Sequence, residues 1–303
     1  MDDQNKPAAQ AQDGIDRRSL MGRFGATAAT VMAVGAAVTS GAALTSLPAE
    51  AQGITDIDIL NFALNLEYVE AQYYIKAFLG RGLDPSDTSD PNGVGKAGFV
   101  LGGSAVPFKT ESIAAYAQKI TIDEVNHVRF LRRVLGNDAV AQPNIDLLNS
   151  FNGLALAAGL VPNANTQFNP FADEVNFLLG AFVFEDVGVT AYAGAAALLQ
   201  NKDYLSAAAS ILAIEAYHSG TVRTVLGTLG QQKAADAISA VRAKLGNGKE
   251  QGLTVGNLRF NTSPSDGDSL AFRRTPTEVL NIVYAGRTTG GGFLPNQANG
   301  TIR

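Results

Sequence analysis

Four long segments of the chain repeat apolar residues every three or four positions, the spacing of a helix face packed against other helices. The first, residues 55–79, carries Leu60, Ala63, Glu67, Ala71, Tyr74 and Phe78 on one stripe. The second, 109–135, carries Ile113, Ala117, Ile120, Glu124, His127 and Leu131. The third, 171–199, carries Leu178, Ala181, Glu185, Gly188, Tyr192 and Leu199, and the fourth, 204–226, carries Ala208, Ile211, Glu215, His218, Val222 and Val225. These stripes predict an all-α protein. Each contains one glutamate at mid-length, where a bundle core should be apolar. Four buried carboxylates are prohibitively costly unless something neutralises them.

The linkers between the segments set the topology. Residues 80–108 are rich in Gly, Asp, Pro and Ser and read as a long loop between the first and second helices. Residues 136–170 hold a short apolar piece at 147–160 between polar turns, long enough to cross from one end of a bundle to the other. The third and fourth helices are separated only by the turn around Asn201-Lys202-Asp203, so they should be antiparallel neighbours. After Gly230 the pattern weakens. Residues 231–245 predict a fifth helix, and 246–269 a loop. Thr275-Pro276-Thr277-Glu278 has the cap, early proline and back-reaching glutamate of a helix start, opening a last short helix over 279–285.

The chain has only two histidines, and both lie three residues after a glutamate: Glu124–His127 and Glu215–His218. Positions i and i+3 share a helix face, so each pair presents a carboxylate and an imidazole to one point. Two such pairs on facing helices, plus one further Glu from each of two other helices, form a dinuclear metal site in a four-helix bundle. The expected ligands are therefore Glu67, Glu124, His127, Glu185, Glu215 and His218. Glu124 and Glu215 would bridge the metals, and Glu67 and Glu185 would each close one end. A carboxylate-rich set with one imidazole per metal suits two divalent ions of iron or manganese, with positions open to peroxide or dioxygen. Zinc would also fit and would leave the site redox-silent.

Other residues near the stripes invite roles. Glu70 lies one turn from Glu67 and is a rival ligand; as a solvated or capping carboxylate it would have no such part. Asp123 is placed to orient the histidine of the opposite helix, His218, through its second ring nitrogen. The matching position before Glu215 is Ile214, so the two metal positions would differ. Tyr74 and Tyr192 each follow a lone glutamate by seven residues, a weak internal repeat. They would support those carboxylates or relay electrons, or simply fill the core.

Composition narrows the class further. There is no cysteine, which excludes disulfides, thiolate ligands and an iron–sulfur centre within this sequence. A formal net charge of −5, without a basic cluster past the first residues, argues against nucleic-acid binding. Residues 1–51 read as an export leader: Arg17-Arg18, a mildly apolar Ala/Gly/Val run over 22–47, then the cleavage pattern Ala49-Glu50-Ala51. Paired arginines before a weak apolar run point to twin-arginine export, although Asp16 and Leu20 depart from that pattern. The run is Gly-rich and holds Thr and Ser, which disfavours a permanent anchor. The expected organisation is a leader (1–51), a bundle (52–230) and a C-terminal extension (231–303). The expected destination is the periplasm or the cell exterior, with no stable membrane anchor after cleavage.

The segment at 61–74 (NFALNLEYVEAQYY) resembles the opening helix of ferritin-like proteins of the desiccation-related type. The tail is similar to that family's C-terminal signature: 274–284 (RTPTEVLNIVY), Gly291-Gly292-Phe293-Leu294-Pro295, and Asn299-Gly300. The resemblance implies a ferritin-like four-helix bundle with a long crossover, exported and associated with stress. Ferroxidases, peroxide reductases and dimanganese catalases all occur in the broader group, so the expected partner is a small oxidant such as peroxide or dioxygen. A non-enzymatic stress-protection protein with a structural metal site is the competing reading. Iron storage would require a shell of subunits, which the long loops and tail disfavour; a smaller homo-oligomer is left open.

Overall fold

The computed structural model describes residues 53–303; the leader expected over 1–51 lies outside the described residues. Four long helices make the bundle: α1 (Asp56–Leu79), α2 (Glu111–Leu135), α4 (Glu174–Ala195) and α5 (Lys202–Thr228). A short helix α3 (Asn149–Ala157) lies in the crossover, and the extension adds α6 (Gln232–Leu245) and α7 (Pro276–Val283). α1 packs along α2, and α4 along α5, so the two hairpins are joined by the crossover. This is the ferritin-like topology.

The chain sets these boundaries with side chains. Thr55 and Asp58 form a capping box at the start of α1, and Gly80, in the left-handed region at φ 69°, ends it. Asp173 accepts hydrogen bonds from the backbone N–H groups of Val175 and Asn176, so α4 begins at Glu174 rather than at Phe171. Its last turn tightens into a 3-10 segment, Ala196–Leu198. Asn201 caps α5 in the same manner as Asp173 caps α4. The Thr275–Glu278 capping box starts α7 at Pro276, as its sequence predicts.

The linkers hold more structure than their composition indicates. The segment 80–108 contains one helical turn, Pro85–Thr88, and a two-residue strand β1 (Val100–Leu101). β1 pairs in parallel with β2 (Ile145–Asp146), Val100 opposite Ile145, and so ties the first loop to the crossover.

The stripes describe α2 and α5 well, since both keep an exposed outer face. They understate α1 and α4. Every residue is buried from 59 to 75 in α1 and from 177 to 192 in α4. α4 is apolar enough to pass as a membrane span, but here it is the central helix of the bundle. The outer face of α1 is covered by the loops and tail through a polar ladder at helical spacing. Asn61 donates to the Asp138 carbonyl at 2.9 Å and accepts from the Val140 amide at 2.9 Å. Asn65 exchanges hydrogen bonds with the backbone of Asn299. Tyr68 donates to the Val140 carbonyl, and Gln72 to Gln142 Oε1 at 2.6 Å. Each side chain satisfies a backbone or side-chain group of a chain segment that would otherwise bury it unpaired.

The outer face of α4 is covered by α6 and α7, and the contact is ionic. Asp186 Oδ2 accepts from Arg223 at 2.7 Å and from Arg242 at 2.6 Å, while Ser219 donates to Oδ1 at 2.6 Å. Arg242 also donates to Glu250 at 2.9 Å, and Arg274 reaches the other oxygen of Glu250 at 2.9 Å. All five charged groups are buried. Burial opposes ionisation of Asp186, but Arg242 and Arg223 hold its carboxyl below the usual carboxylate range. Buried ion networks cost heavily in desolvation, and losing one member leaves the others uncompensated. Asp186→Ala is therefore expected to lower the unfolding free energy by about 3–5 kcal/mol. Urea denaturation of the metal-free protein followed by circular dichroism reads this; a change below about 1 kcal/mol would show that the network contributes little.

Candidate metal centre

The four mid-helix glutamates converge. Glu67 comes from α1, Glu124 and His127 from α2, Glu185 from α4, and Glu215 and His218 from α5. Their carboxyl and imidazole atoms form two groups of mutually close donors: Glu67, Glu124, His127 and Glu215 in one, and Glu124, Glu185 and His218 in the other. Within each group the donor atoms lie within 4.8 Å of one another. Glu124 belongs to both. Glu215, expected to bridge equally, is placed with the first group only.

The contacts are those of shared ligation more than of hydrogen bonding. His127 Nδ1 lies 3.3 Å from Glu67 Oε2, 3.4 Å from Glu124 Oε2 and 3.6 Å from Glu215 Oε1. His218 Nδ1 lies 3.0 Å from Glu124 Oε1 and 3.4 Å from Glu185 Oε2. All of these inward atoms, and Glu215 Oε2, are buried without a hydrogen-bond partner. Cis donors about 2.1 Å from one octahedral cation sit about 3 Å apart, which matches these spacings. When all four carboxyls are ionised they carry four negative charges, which two divalent cations would cancel. The donor set fits a dinuclear metal site.

Electrostatics within the protein alone show the strain of the cluster. Burial pushes Glu67 up to about 7, with His127 partly offsetting it. Burial also raises Glu185, and burial with the neighbouring carboxylates raises Glu215. Glu124 goes the other way: burial disfavours its charge, but the adjacent imidazoles of His127 and His218 hold it below the usual range. Burial disfavours the His127 cation, yet Glu67 and Glu124 drive it up to about 12. His218 is raised in the same sense, against burial, by Glu185, Asp123 and Glu124.

The supporting residues fall into place around this centre. Asp123 Oδ2 is 3.0 Å from His218 Nε2, where it can take the ring proton and leave Nδ1 facing the cluster. Asn126 is exposed and makes no such contact. Tyr74 and Tyr192 touch the carboxylates, but crosswise. Tyr74 of α1 donates to Glu185 Oε1 of α4, while Tyr192 of α4 donates to Glu67 Oε1 of α1 at 2.5 Å. α1 and α4 run antiparallel, so a seven-residue offset exchanges partners between the two helices. Burial and the adjacent carboxylates raise both phenols well above their ordinary value, so both remain donors. Glu70 is buried but belongs to neither donor group. Burial, followed by Glu124 and Glu67, raises its carboxyl well above the usual range.

Sequence reasoning missed one residue of the site, although it lay on the third stripe. A Cβ at Gly188 would stand 2.3 Å from Glu215 Oε2 and 3.4 Å from Glu70 Oε1. Glycine inside a helix costs about 1 kcal/mol relative to alanine. It is retained where α4 must leave room between those two carboxyls. A glycine in mid-stripe beside a ligand position was the available signal.

Residues 55–228 match the ferritin-like domain family, and the chain belongs to that family. Two curated relatives align over most of its length. The desiccation-related protein PCC13-62 of Craterostigma plantagineum is 29% identical over 273 residues, covering 81% of this chain and 83% of its own. Ferritin-like catalase Nec2 of Nesocodon mauritianus is 28% identical over 278 residues, covering 82% of this chain and 84% of its own. No solved structure matches significantly.

Two predictions arise from the centre. Asp123→Ala is expected to weaken one of two metal equivalents about 10–100-fold, because only His218 has such a partner. Competition with a chromophoric chelator would show one shifted and one unshifted step; two equal shifts would refute the inequivalence. The second concerns pH. Glu67 is raised in the folded state, as are Glu70, Glu185 and Glu215, so each favours folding when protonated. The raised histidines favour folding when charged, which has the same sign. Their stabilisation is present at low pH and is lost as pH rises through the folded values. The lowered Glu124 has already contributed fully above the unfolded carboxylate range. The Tm of the metal-free protein should therefore fall from about pH 5 upward and go on falling above neutral pH, while the metal-loaded protein should not, because cations displace the protons.

Proposed function

We propose that this protein is an exported oxidoreductase that removes hydrogen peroxide at a dinuclear iron or manganese centre, acting in oxidative or desiccation stress. The observation that carries the reading is the sharing of Glu124 between two donor groups, each with its own histidine and its own terminal glutamate. That arrangement suits two cations held side by side, a pair that can share the two electrons exchanged with an O–O bond. Similarity to a relative named as a ferritin-like catalase supports peroxide as the substrate. Disproportionation also balances without an outside donor: one peroxide is oxidised to dioxygen and a second is reduced to two waters. That suits a sequence with no cysteine to carry an iron–sulfur relay.

When bound, the metal pair supplies the electron exchange; the residues around it set orientation and proton positions. Tyr74 and Tyr192 fix the terminal carboxylates Glu185 and Glu67 through single hydrogen bonds, leaving the other oxygen of each facing the cluster. Asp123 fixes the ring of His218. Glu70, whose carboxyl burial raises, lies beside Gly188 and Glu215 and can give a proton to a peroxide oxygen or take one back. The paired arginines Arg17-Arg18 are read as directing the folded protein to the periplasm or the cell exterior, where metal loaded before export would be retained.

Metal analysis of protein purified without added metal, combined with oxygen evolution from hydrogen peroxide, tests the proposal. About two iron or manganese ions per chain and dioxygen release are expected. Glu124→Ala should lose both metals and the activity, because it is common to both donor groups. Peroxide-dependent loss of ferrous iron without dioxygen would reassign the centre to ferroxidase chemistry. If the protein holds two zinc ions and stays inactive after reloading with iron and with manganese, the redox function is wrong. The remaining reading would be a stress-protection protein with a structural metal site.

A further inference from the structure

The C-terminal extension borders two neighbouring spaces beside α4, one of which reaches Glu70. The inner one is a chamber of about 30 Å3, lined by apolar side chains, with Glu70 as its polar wall and Gly188 on its floor. That volume exceeds the minimum for holding a water molecule. The outer one is a cleft of about 580 Å3 between α3, α6, α7 and the tail. Val183, Ile282 and Phe293 line both, so a wall three side chains wide separates the cleft from the chamber.

We propose that this cleft and chamber form the route by which substrate reaches the metal centre, and that Phe293 is its gate. The inference rests on the peroxide reading above for its substrate and on the geometry alone for the route. At the inner end, the point where Gly188 lacks a Cβ is 2.3 Å from Glu215 Oε2, a buried oxygen with no hydrogen-bond partner. Any side chain at 188 would collide with Glu215 Oε2 and crowd Glu70 Oε1, so both carboxyls lie against the bare backbone of Gly188, which itself lines the chamber. At the outer end, Ser150 Oγ is buried without a partner and lines the cleft, a polar station for a peroxide or water on its way inward.

Phe293 is held in place by unusual backbone. Gly290, Gly291 and Gly292 lie at φ 90°, 149° and 46°, conformations that side-chain-bearing residues rarely adopt. The Phe293 amide donates to the Val283 carbonyl at 2.9 Å, and its carbonyl accepts from Asp146 N–H at 3.0 Å. The ring meets Phe184 at 4.9 Å and Phe151 at 5.0 Å between centroids, both edge-on. The glycine-rich tail thus delivers one aromatic ring to the narrowest part of the route. A chamber of this size and apolar lining passes small uncharged oxidants, hydrogen peroxide or dioxygen, and rejects organic hydroperoxides.

Xenon is a metal-independent probe of such a chamber, because small apolar cavities take it up. Crystals of the wild type, Phe293→Trp and Phe293→Leu would be pressurised with xenon, and turnover of hydrogen peroxide compared with tert-butyl hydroperoxide. Xenon beside Gly188 is expected in the wild type, absent in Phe293→Trp and stronger in Phe293→Leu. Phe293→Trp should lower kcat/KM for hydrogen peroxide about tenfold at unchanged metal content, and Phe293→Leu should raise relative use of the larger peroxide about as much. Xenon confined to the seam between α2 and α5, or identical xenon and kinetics in all three proteins, would overturn the route. If the wild type consumes no peroxide, the functional reading fails, while the xenon positions still decide the route. Should Phe293→Trp not fold, the wild-type and Phe293→Leu comparison decides it.

Discussion

Four carboxylates brought to one point inside an apolar bundle are the constraint from which most of this structure follows. Inward oxygens of Glu67, Glu124, Glu185 and Glu215 have no hydrogen-bond partner, and the two imidazoles are the only cationic side chains in the cluster. In a low-dielectric interior such a cluster stands only when protons or metal ions neutralise it. Exclusion of water makes that requirement strict. α1 and α4 supply Glu67 and Glu185 and are buried around their whole circumference at those levels; α2 and α5 supply the histidines and keep one wet face.

The centre is built twice and then broken. Each half gives a Glu seven residues before a Tyr and a Glu-x-x-His, and the antiparallel packing of α1 against α4 makes each tyrosine serve the other half's carboxylate. The symmetry fails where the halves differ in sequence. Asp123 precedes Glu124 and holds His218, whereas Ile214 precedes Glu215 and cannot hold His127 in that way. Glu124 is common to both donor groups, while Glu215 joins one and turns its other oxygen toward Gly188. Two cations in such a site would differ in affinity and in exposure to an incoming ligand.

The bundle was legible because helical periodicity and two Glu-x-x-His pairs are local patterns. One acidic residue per stripe then pointed inward by elimination, since nothing else could explain it there. The covering layer was not legible, for a physical reason. Asn61, Asn65, Tyr68 and Gln72 read as the wet face of an amphipathic helix, and only the fold shows that they satisfy the backbone of the crossover and tail. Asp186, Arg223, Arg242 and Arg274 are likewise ordinary surface types when taken singly. Their burial depends on partners 8 to 84 residues away, a relation that periodicity cannot express. The crosswise tyrosines were placed on the correct stripes but beside the wrong glutamates, because a stripe carries no information about the facing helix.

The covering layer also explains why a ferritin-like bundle here retains so long a tail. Asp186 is the residue after Glu185 of the donor cluster, and its carboxylate anchors Arg242 of α6, which in turn meets Glu250 and, through it, Arg274 just ahead of α7. Ionic contacts of this kind have narrow geometry and exclude water, so they fix α6 and α7 against α4 more rigidly than apolar packing would. α7 and the glycine run after it carry Ile282 and Phe293, the side chains between the outer cleft and the chamber at Gly188. The same five charges that hold the extension therefore support the side chains proposed to line the route. Loosening them would open the centre to solvent as well as cost stability, and that coupling gives the tail a physical reason to be built in one piece with the bundle.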